Sequence, residues 1–175
     1  MATNLELKSG TESLTNAHQA ARSMGLSPAE TLDQTDVYFA VARGRLKLRR
    51  IVGKGAELIY YEREDERTAR WSIYTRMAVS DPDVLQGMLT QALGVRGVVR
   101  KHRTVYLHDS ARIHLDCVEG LGDFLEFEIV ETEEKTASAL MEKLKAVFSV
   151  SRTAMIGGSY IDLLEARGKV VVDRT

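Results

Sequence analysis

The stretch Arg112-Ile113-His114-Leu115-Asp116-Cys117-Val118-Glu119-Gly120-Leu121-Gly122-Asp123-Phe124-Leu125-Glu126-Phe127-Glu128 decides the fold class. Before the glycines it sets Arg112, His114 and Asp116 at every second position, and after them it does the same with Glu126 and Glu128. Successive side chains of a strand point to opposite faces. The period of two therefore predicts strands over 112–118 and 123–130, each with one charged and one apolar face. Gly120-Leu121-Gly122 is a loop between them and not a phosphate-binding glycine motif, because no βα unit follows it.

Working outward, the same alternation recurs. Asn4-Leu5-Glu6-Leu7-Lys8 puts Asn4, Glu6 and Lys8 on one face; Arg45, Lys47 and Arg49 share another; Lys101 lies with Arg103 in a strand over 98–107. Extended segments over 32–42, 56–63 and 70–79 bring the predicted strands to eight. Helical spacing of apolar residues predicts a helix from Leu14 to Met24, stopped by Gly25. A second runs from Asp81-Pro82 to a Gly94 cap, a third over 134–148, and a short one over 159–165. Helices interspersed among antiparallel strands indicate an α+β fold. The residues from Gly168 onward read as a loose end.

A length of 175 residues fits one domain, taken as 1–175 with a core of about 4–165. At 44% hydrophobic residues the chain can bury a core without disulfide staples. Cys117, the lone cysteine, cannot form an intramolecular disulfide and is expected to be a small packed residue. The 24 basic and 25 acidic side chains give a net charge of -1, which offers no bulk attraction to nucleic acid or to an anionic membrane. Met1 to Gly10 lacks the apolar core of a signal peptide, and no apolar run reaches about 18 residues, so a cytoplasmic protein with no membrane partner is expected.

Two accounts fit the charged faces. They are either solvent faces over a hydrophobic core, as in many antiparallel sheets, or the inner wall of a barrel closed by eight strands. In the second case Lys8, Arg45, Lys47, Arg49, Lys101, Arg103 and Arg112 surround a polyanion, since guanidinium forks bind phosphate oxygens bidentately and lysines add point charge. Glu6, Asp116, Glu126 and Glu128 supply the other sign. At a spacing of about 6.8 Å, Glu126 and Glu128 repel by roughly 2.4 kcal/mol at an effective dielectric near 20. Nearby basic residues offset this, and a divalent cation does so more directly while also bridging phosphates.

At these residues the chain resembles the CYTH superfamily of triphosphate tunnel metalloenzymes, which includes class IV adenylyl cyclases, thiamine triphosphatases and inorganic triphosphatases. The resemblance covers about residues 4–165. It rests on Glu6-Leu7-Lys8, on Gln34-Thr35-Asp36-Val37-Tyr38-Phe39, on Gly44-Arg45-Leu46-Lys47-Leu48-Arg49, on Lys101-His102-Arg103, on Arg112-Ile113-His114-Leu115-Asp116, and most specifically on Val118 through Glu128. It implies an eight-stranded antiparallel closed β-barrel, a triphosphate tunnel with peripheral helices. By position it implies Glu6, Glu126 and Glu128 as ligands of Mg2+ or Mn2+, with Asp116 in support. It also implies Lys8, Lys47, Arg49, Lys101, Arg103 and Arg112 as phosphate contacts, with Arg45 and Arg63 as weaker ones.

Two departures from the family pattern stand out. Asn4 occupies the first acidic position of the usual Glu-x-Glu-x-Lys opening, and Leu58-Ile59-Tyr60-Tyr61-Glu62-Arg63 lacks the lysine that many hydrolytic members carry in that strand. The wording of the Glu6 and Leu121 to Glu126 motifs is closer to the class IV cyclase branch. ATP or another triphosphate is thus the expected substrate, with cyclic AMP and pyrophosphate as first-choice products. Triphosphate hydrolysis and noncatalytic binding of a nucleotide or polyphosphate are the alternatives. No catalytic base is singled out: His114 reads as a phosphate contact, a proton carrier or an ordinary polar tunnel residue. Tyr38, Tyr60, Tyr61 and Trp71 are candidates for a base contact, although strand aromatics more often pack.

Overall fold

The computed structural model describes residues 2–131 and 133–170. In chain order the elements are β1 (Ala2–Gly10), α1 (Leu14–Ser23), β2 (Glu30–Phe39), β3 (Arg45–Ile51), β4 (Gly55–Glu62) and β5 (Arg70–Val79). There follow α2 (Pro82–Leu93), β6 (Val95–His108), β7 (Ala111–Val118), β8 (Gly122–Ile129), α3 (Glu134–Val147), a 3-10 turn (Arg152–Ala154), β9 (Met155–Ile156) and α4 (Tyr160–Ala166). All strand pairings are antiparallel, in the order β5-β4-β3-β2-β6-β7-β8-β1. The sheet closes where β1 pairs with β5, Asn4 opposite Ser72 and Glu6 opposite Arg70. Closure removes both open edges, and β9 adds only a short flange at Lys8 and Ser9.

Which face is buried follows from the alternation. The apolar residues of β1, β7 and β8 point outward, where Leu5, Leu7, Ile113, Leu115, Leu125 and Phe127 pack beneath α1 and α3. These helices present Ala17, Ala21, Ala137, Met141 and Leu144 to them. Each such large apolar side chain contributes about 1.5–3 kcal/mol when fully buried, so this outer layer holds the fold together. A second cluster joins Tyr38, Tyr61, Val99 and Phe124 to Ile161 and Leu164 of α4, and a third sets Val37, Phe39, Leu48 and Val98 beneath α2. The charged faces are consequently inside: Asn4 is 5% exposed, Lys8 4% and Arg103 4%.

Local differences from the sequence reading have simple causes. The extended segment predicted to reach Ala42 leaves the sheet after Phe39, because Phe39 is already opposite Leu46 and residues 40–44 are needed to reverse the chain. Gly44 completes that reversal at φ +64, where a Cβ would lie 2.8 Å from the Tyr61 carbonyl oxygen. β9 was not foreseen, since two residues carry no periodicity. Beyond α4, Lys169 donates to the Gly120 carbonyl oxygen at 3.2 Å and Val170 packs on the second cluster; the remainder of the expected loose end, 171–175, lies outside the described residues. Among the described residues no helix is long and apolar enough to cross a membrane.

Candidate functional site

The barrel encloses a cavity of about 130 Å³, several times the 10–15 Å³ or so that admits one water. Eight cationic side chains line it, Lys8, Lys47, Arg49, Arg63, Arg76, Lys101, Arg103 and Arg112, against four acidic ones, Glu6, Glu57, Glu126 and Glu128. A chain whose net charge is -1 has therefore segregated positive charge into its interior. Desolvating each ion costs several kcal/mol, and buried pairs seldom return more than that. Stability alone gives no reason to hold such a set inside, so the arrangement marks a site for an anion.

Two buried carboxylates outside this lining organise the cations. Asp36 on β2, 1% exposed, accepts from Arg49 Nε at 2.8 Å and Nη2 at 2.9 Å and from Lys47 Nζ at 3.0 Å. Burial pushes its carboxyl up, but Arg49 and Lys47 outweigh that and hold it well below the usual carboxylate range. Asp116 on β7 takes both Arg103 Nε and Nη2 at 2.6 Å, and the Tyr160 hydroxyl at 2.7 Å. Lys101 lies between the two carboxylates, 4.0 Å from Asp36 and 3.9 Å from Asp116, too far for a hydrogen bond to either. Burial, followed by Arg103, brings its ammonium well below the usual lysine range.

Tyr160 enters from α4. Lys8 Nζ is 4.1 Å and Lys101 Nζ 5.0 Å from the centre of its ring, and Phe124 braces the ring edge-on at 5.0 Å. The helix is held over this end of the barrel by Asp162, which accepts from Arg45 at 2.8 Å, from Arg96 at 2.6 Å and from the Ser159 backbone N–H at 2.6 Å. Arg45 thus anchors α4 and, through a 2.6 Å bond to Asp65, the β4–β5 loop; it is not among the cavity-lining residues. Gly157 fits against that loop only because it lacks a side chain, a Cβ there being 2.4 Å from the Asp65 carbonyl oxygen.

On β8, next to β7, Glu126 is paired with Lys8 and accepts from Arg103 Nη2 at 2.5 Å. Cations from β1 and β6 therefore relieve the repulsion expected along β8. Among the described residues, the charged partners of Glu128 are Arg112, at 3.8 Å, and the His114 ring, at 3.9 Å. One ligand atom each of His114, Glu126 and Glu128 lies within 4.8 Å of the others, the one such group among the described residues. Asn4 Oδ1, also facing the cavity, is buried without a hydrogen-bond partner. Two carboxylates and an imidazole fit a divalent cation.

Of the residues anticipated from sequence, Lys8, Lys47, Arg49, Lys101, Arg103, Arg112 and Arg63 line the cavity, as do Glu6, Glu126 and Glu128. Arg45 and Asp116 do not. Asp116 has both oxygens committed to Arg103 and Tyr160. Glu6 is paired with Arg63, lies 3.4 Å from Arg70 and stands opposite Glu128 in the β1–β8 register. Tyr38 and Tyr61 face the cavity, whereas Tyr60 pairs with Glu62 and Trp71 is 37% exposed on the outer wall. Cys117, expected to be packed, is exposed instead.

Asp36, Glu57, Arg76 and Tyr160 were missed. The first three share the inward parity of their strands with Tyr38, Ile59 and Tyr74, a signal available once those strands are assigned to the barrel wall. Tyr160 carries no local signal, since its position depends on where α4 docks.

A closed antiparallel barrel with a charge-lined interior defines the class. The chain belongs to the CYTH family, whose CYTH domain model matches residues 2–155. No curated protein matches it in sequence. Among solved structures it is similar to the PH1012 protein of Pyrococcus horikoshii, at 23% identity and a TM-score of 0.83 over 91% of this chain and 98% of that one. It is also similar to a candidate adenylate cyclase from Vibrio parahaemolyticus, at 21% identity and a TM-score of 0.74 over 94% of this chain and 98% of that one. A third likeness is to HpAC1 from Hippeastrum, described as a candidate adenylyl cyclase with a dominant triphosphatase activity, at 16% identity and a TM-score of 0.68 over 98% of each chain. At these identities the similarity concerns the fold.

Proposed function

We propose that this chain is a divalent-metal-dependent enzyme acting on triphosphates, with ATP converted to cyclic AMP and pyrophosphate as its leading reaction. The observation that carries the reading is the excess of cationic over acidic side chains lining the cavity, beside a group suited to a divalent cation. Lys8, Lys47, Arg49 and Arg103 would exchange their carboxylate partners for phosphate oxygens and Lys101 would gain one, each such charge-assisted contact being worth about 1.5–3 kcal/mol. A cation held by His114, Glu126 and Glu128 would supply positive charge to the same oxygens. In the cyclising reaction the ribose 3′ oxygen bonds to the α phosphorus, the bond from that phosphorus to the bridging oxygen breaks to release pyrophosphate, and the hydroxyl proton passes to solvent or to the departing pyrophosphate. Positioning and charge stabilisation do most of that work.

The inward face of β4, Glu57, Ile59 and Tyr61, offers no lysine to activate water, which favours cyclisation over hydrolysis. The triphosphatase activity described for HpAC1 keeps hydrolysis as the second reading. Incubation with ATP and with inorganic triphosphate, each with Mg2+ or Mn2+, separates them. Cyclic AMP and pyrophosphate from ATP are expected. ADP and phosphate without cyclic AMP would move the assignment to a triphosphatase, and tight binding without turnover of either compound would make the chain a binding module.

Binding carries a pH signature. Burial, and then Arg49, push the Lys47 ammonium down to about 8, while Asp36 and Glu126 act in the opposite sense. A bound polyanion favours the charged lysine and raises its pKa, so affinity for inorganic triphosphate should fall as pH rises above 8, by up to about tenfold per unit. Calorimetric titration without metal between pH 7 and 9.5 should find this slope in the natural chain and a shallower one in Lys47→Arg, whose guanidinium stays charged. Equal slopes would remove Lys47 from the phosphate grip.

A further inference from the structure

Along β7 the inward residues are Arg112 at the mouth, His114, and Asp116, whose oxygens are committed to Arg103 and Tyr160. Between them His114 is 4% exposed, and its Nδ1 stands 3.5 Å from Glu126 Oε2 and 3.9 Å from Glu128 Oε1. These distances are at or beyond the limit of a hydrogen bond, yet they hold an imidazole nitrogen and two carboxylates within reach of one ion. Asn4, on β1 beside β8, faces the same cavity with a buried, unpartnered amide oxygen.

This donor set combines one imidazole nitrogen with two carboxylates. Mg2+ is a hard ion that prefers an octahedron of oxygens, parts reluctantly with its waters and depends on carboxylate charge for affinity. Imidazole does little for it, whereas first-row transition ions gain from a nitrogen donor, increasingly so from Mn2+ toward Co2+ and Ni2+. We infer that His114 is a metal ligand and that it biases the tunnel toward first-row transition cations over Mg2+. This inference rests on the reading of His114, Glu126 and Glu128 as the cation site, and not on which triphosphate is turned over.

The test uses the metals alone, without nucleotide. Pulsed electron paramagnetic resonance on the Mn2+-loaded natural chain should show coupling to an imidazole nitrogen, a readout that needs no variant. In calorimetric titrations His114→Ala should lose about tenfold or more of its Co2+ affinity, in line with the losses seen when metal surroundings are altered, with Mg2+ affinity little changed. His114→Asp, which restores an all-oxygen set, should lower the ratio of Co2+ to Mg2+ affinity. Circular dichroism would establish that both variants are folded. Bound Mn2+ without nitrogen coupling, or Co2+ affinity unchanged in a folded His114→Ala, would overturn the inference while leaving a carboxylate site intact. Failure of Mn2+, Co2+ and Mg2+ alike to bind would overturn the cation site itself, and turnover of ATP or of inorganic triphosphate is a separate measurement from either.

Discussion

Asp36→Asn should lower the stability of the folded chain by about 3–5 kcal/mol, because it removes one partner from a buried ionic cluster and strands the rest. The carboxylate, 1% exposed, accepts two bonds from Arg49 and one from Lys47 and faces Lys101 at 4.0 Å. An amide of the same shape leaves these cations against one another and turns an N–H donor group toward them. For a chain of this size the loss corresponds to a fall in Tm of roughly 6–20 °C.

The pH dependence of that loss has a definite sign. Asp36 titrates lower in the folded chain than the ordinary value near 3.9. Its contribution is therefore complete above about pH 4–5 and disappears as pH falls through the depressed folded value, so natural chain and variant should converge in strong acid. Inorganic triphosphate should raise the Tm of the variant more than that of the natural chain, since the polyanion replaces the missing charge. Urea and thermal unfolding at several pH values check both points. A variant within about 1 kcal/mol of the natural chain at pH 7 would mean that the cations tolerate one another, and the account of Asp36 as their organiser would fail.

The second large effect is on turnover. Glu126→Gln combined with Glu128→Gln should reduce metal-supported reaction by roughly a hundredfold or more, since a positioned cation is worth several kcal/mol to a phosphoryl transition state. Glu126 also neutralises Lys8 and Arg103, so the double variant should lose stability as well. Glu128→Gln alone is the cleaner probe: its nearest cation, Arg112, is 3.8 Å away and sits on a side chain 42% exposed. It should retain the fold and need far more metal for half-maximal rate. If the folded double variant turns over normally at limiting Mg2+ and Mn2+, the β8 carboxylates are not the metal site.

Most of the barrel was legible because its strands alternate so regularly. Glu6 and Lys8, Arg45 through Arg49, Lys101 and Arg103, and Glu126 and Glu128 each fixed the parity of a strand, and parity determines the face of every neighbour. What alternation leaves open is which face is wet. Leu5 and Lys8 on the same strand support a half-buried sheet with charges in solvent as well as a barrel with charges inside. The β1–β5 pairing together with the covering by α1 and α3 selects the second arrangement.

From its residues alone, then, this chain determined the kinds and approximate limits of its elements, the pairing of charges by strand and, through the resemblance, its family. Those are properties of short stretches, set by side-chain direction and turn chemistry. Only the tertiary structure decided who partners whom inside the barrel. Asp36 draws cations from β3 and β6, Asp116 is taken by Arg103 and Tyr160, Arg45 is diverted to Asp162, and His114 is brought to the β8 carboxylates. These contacts join residues as far apart in sequence as Arg45 and Asp162, and they depend on barrel closure and on the docking of α4. Both are collective outcomes of burying the outer apolar layer, and no local pattern encodes them.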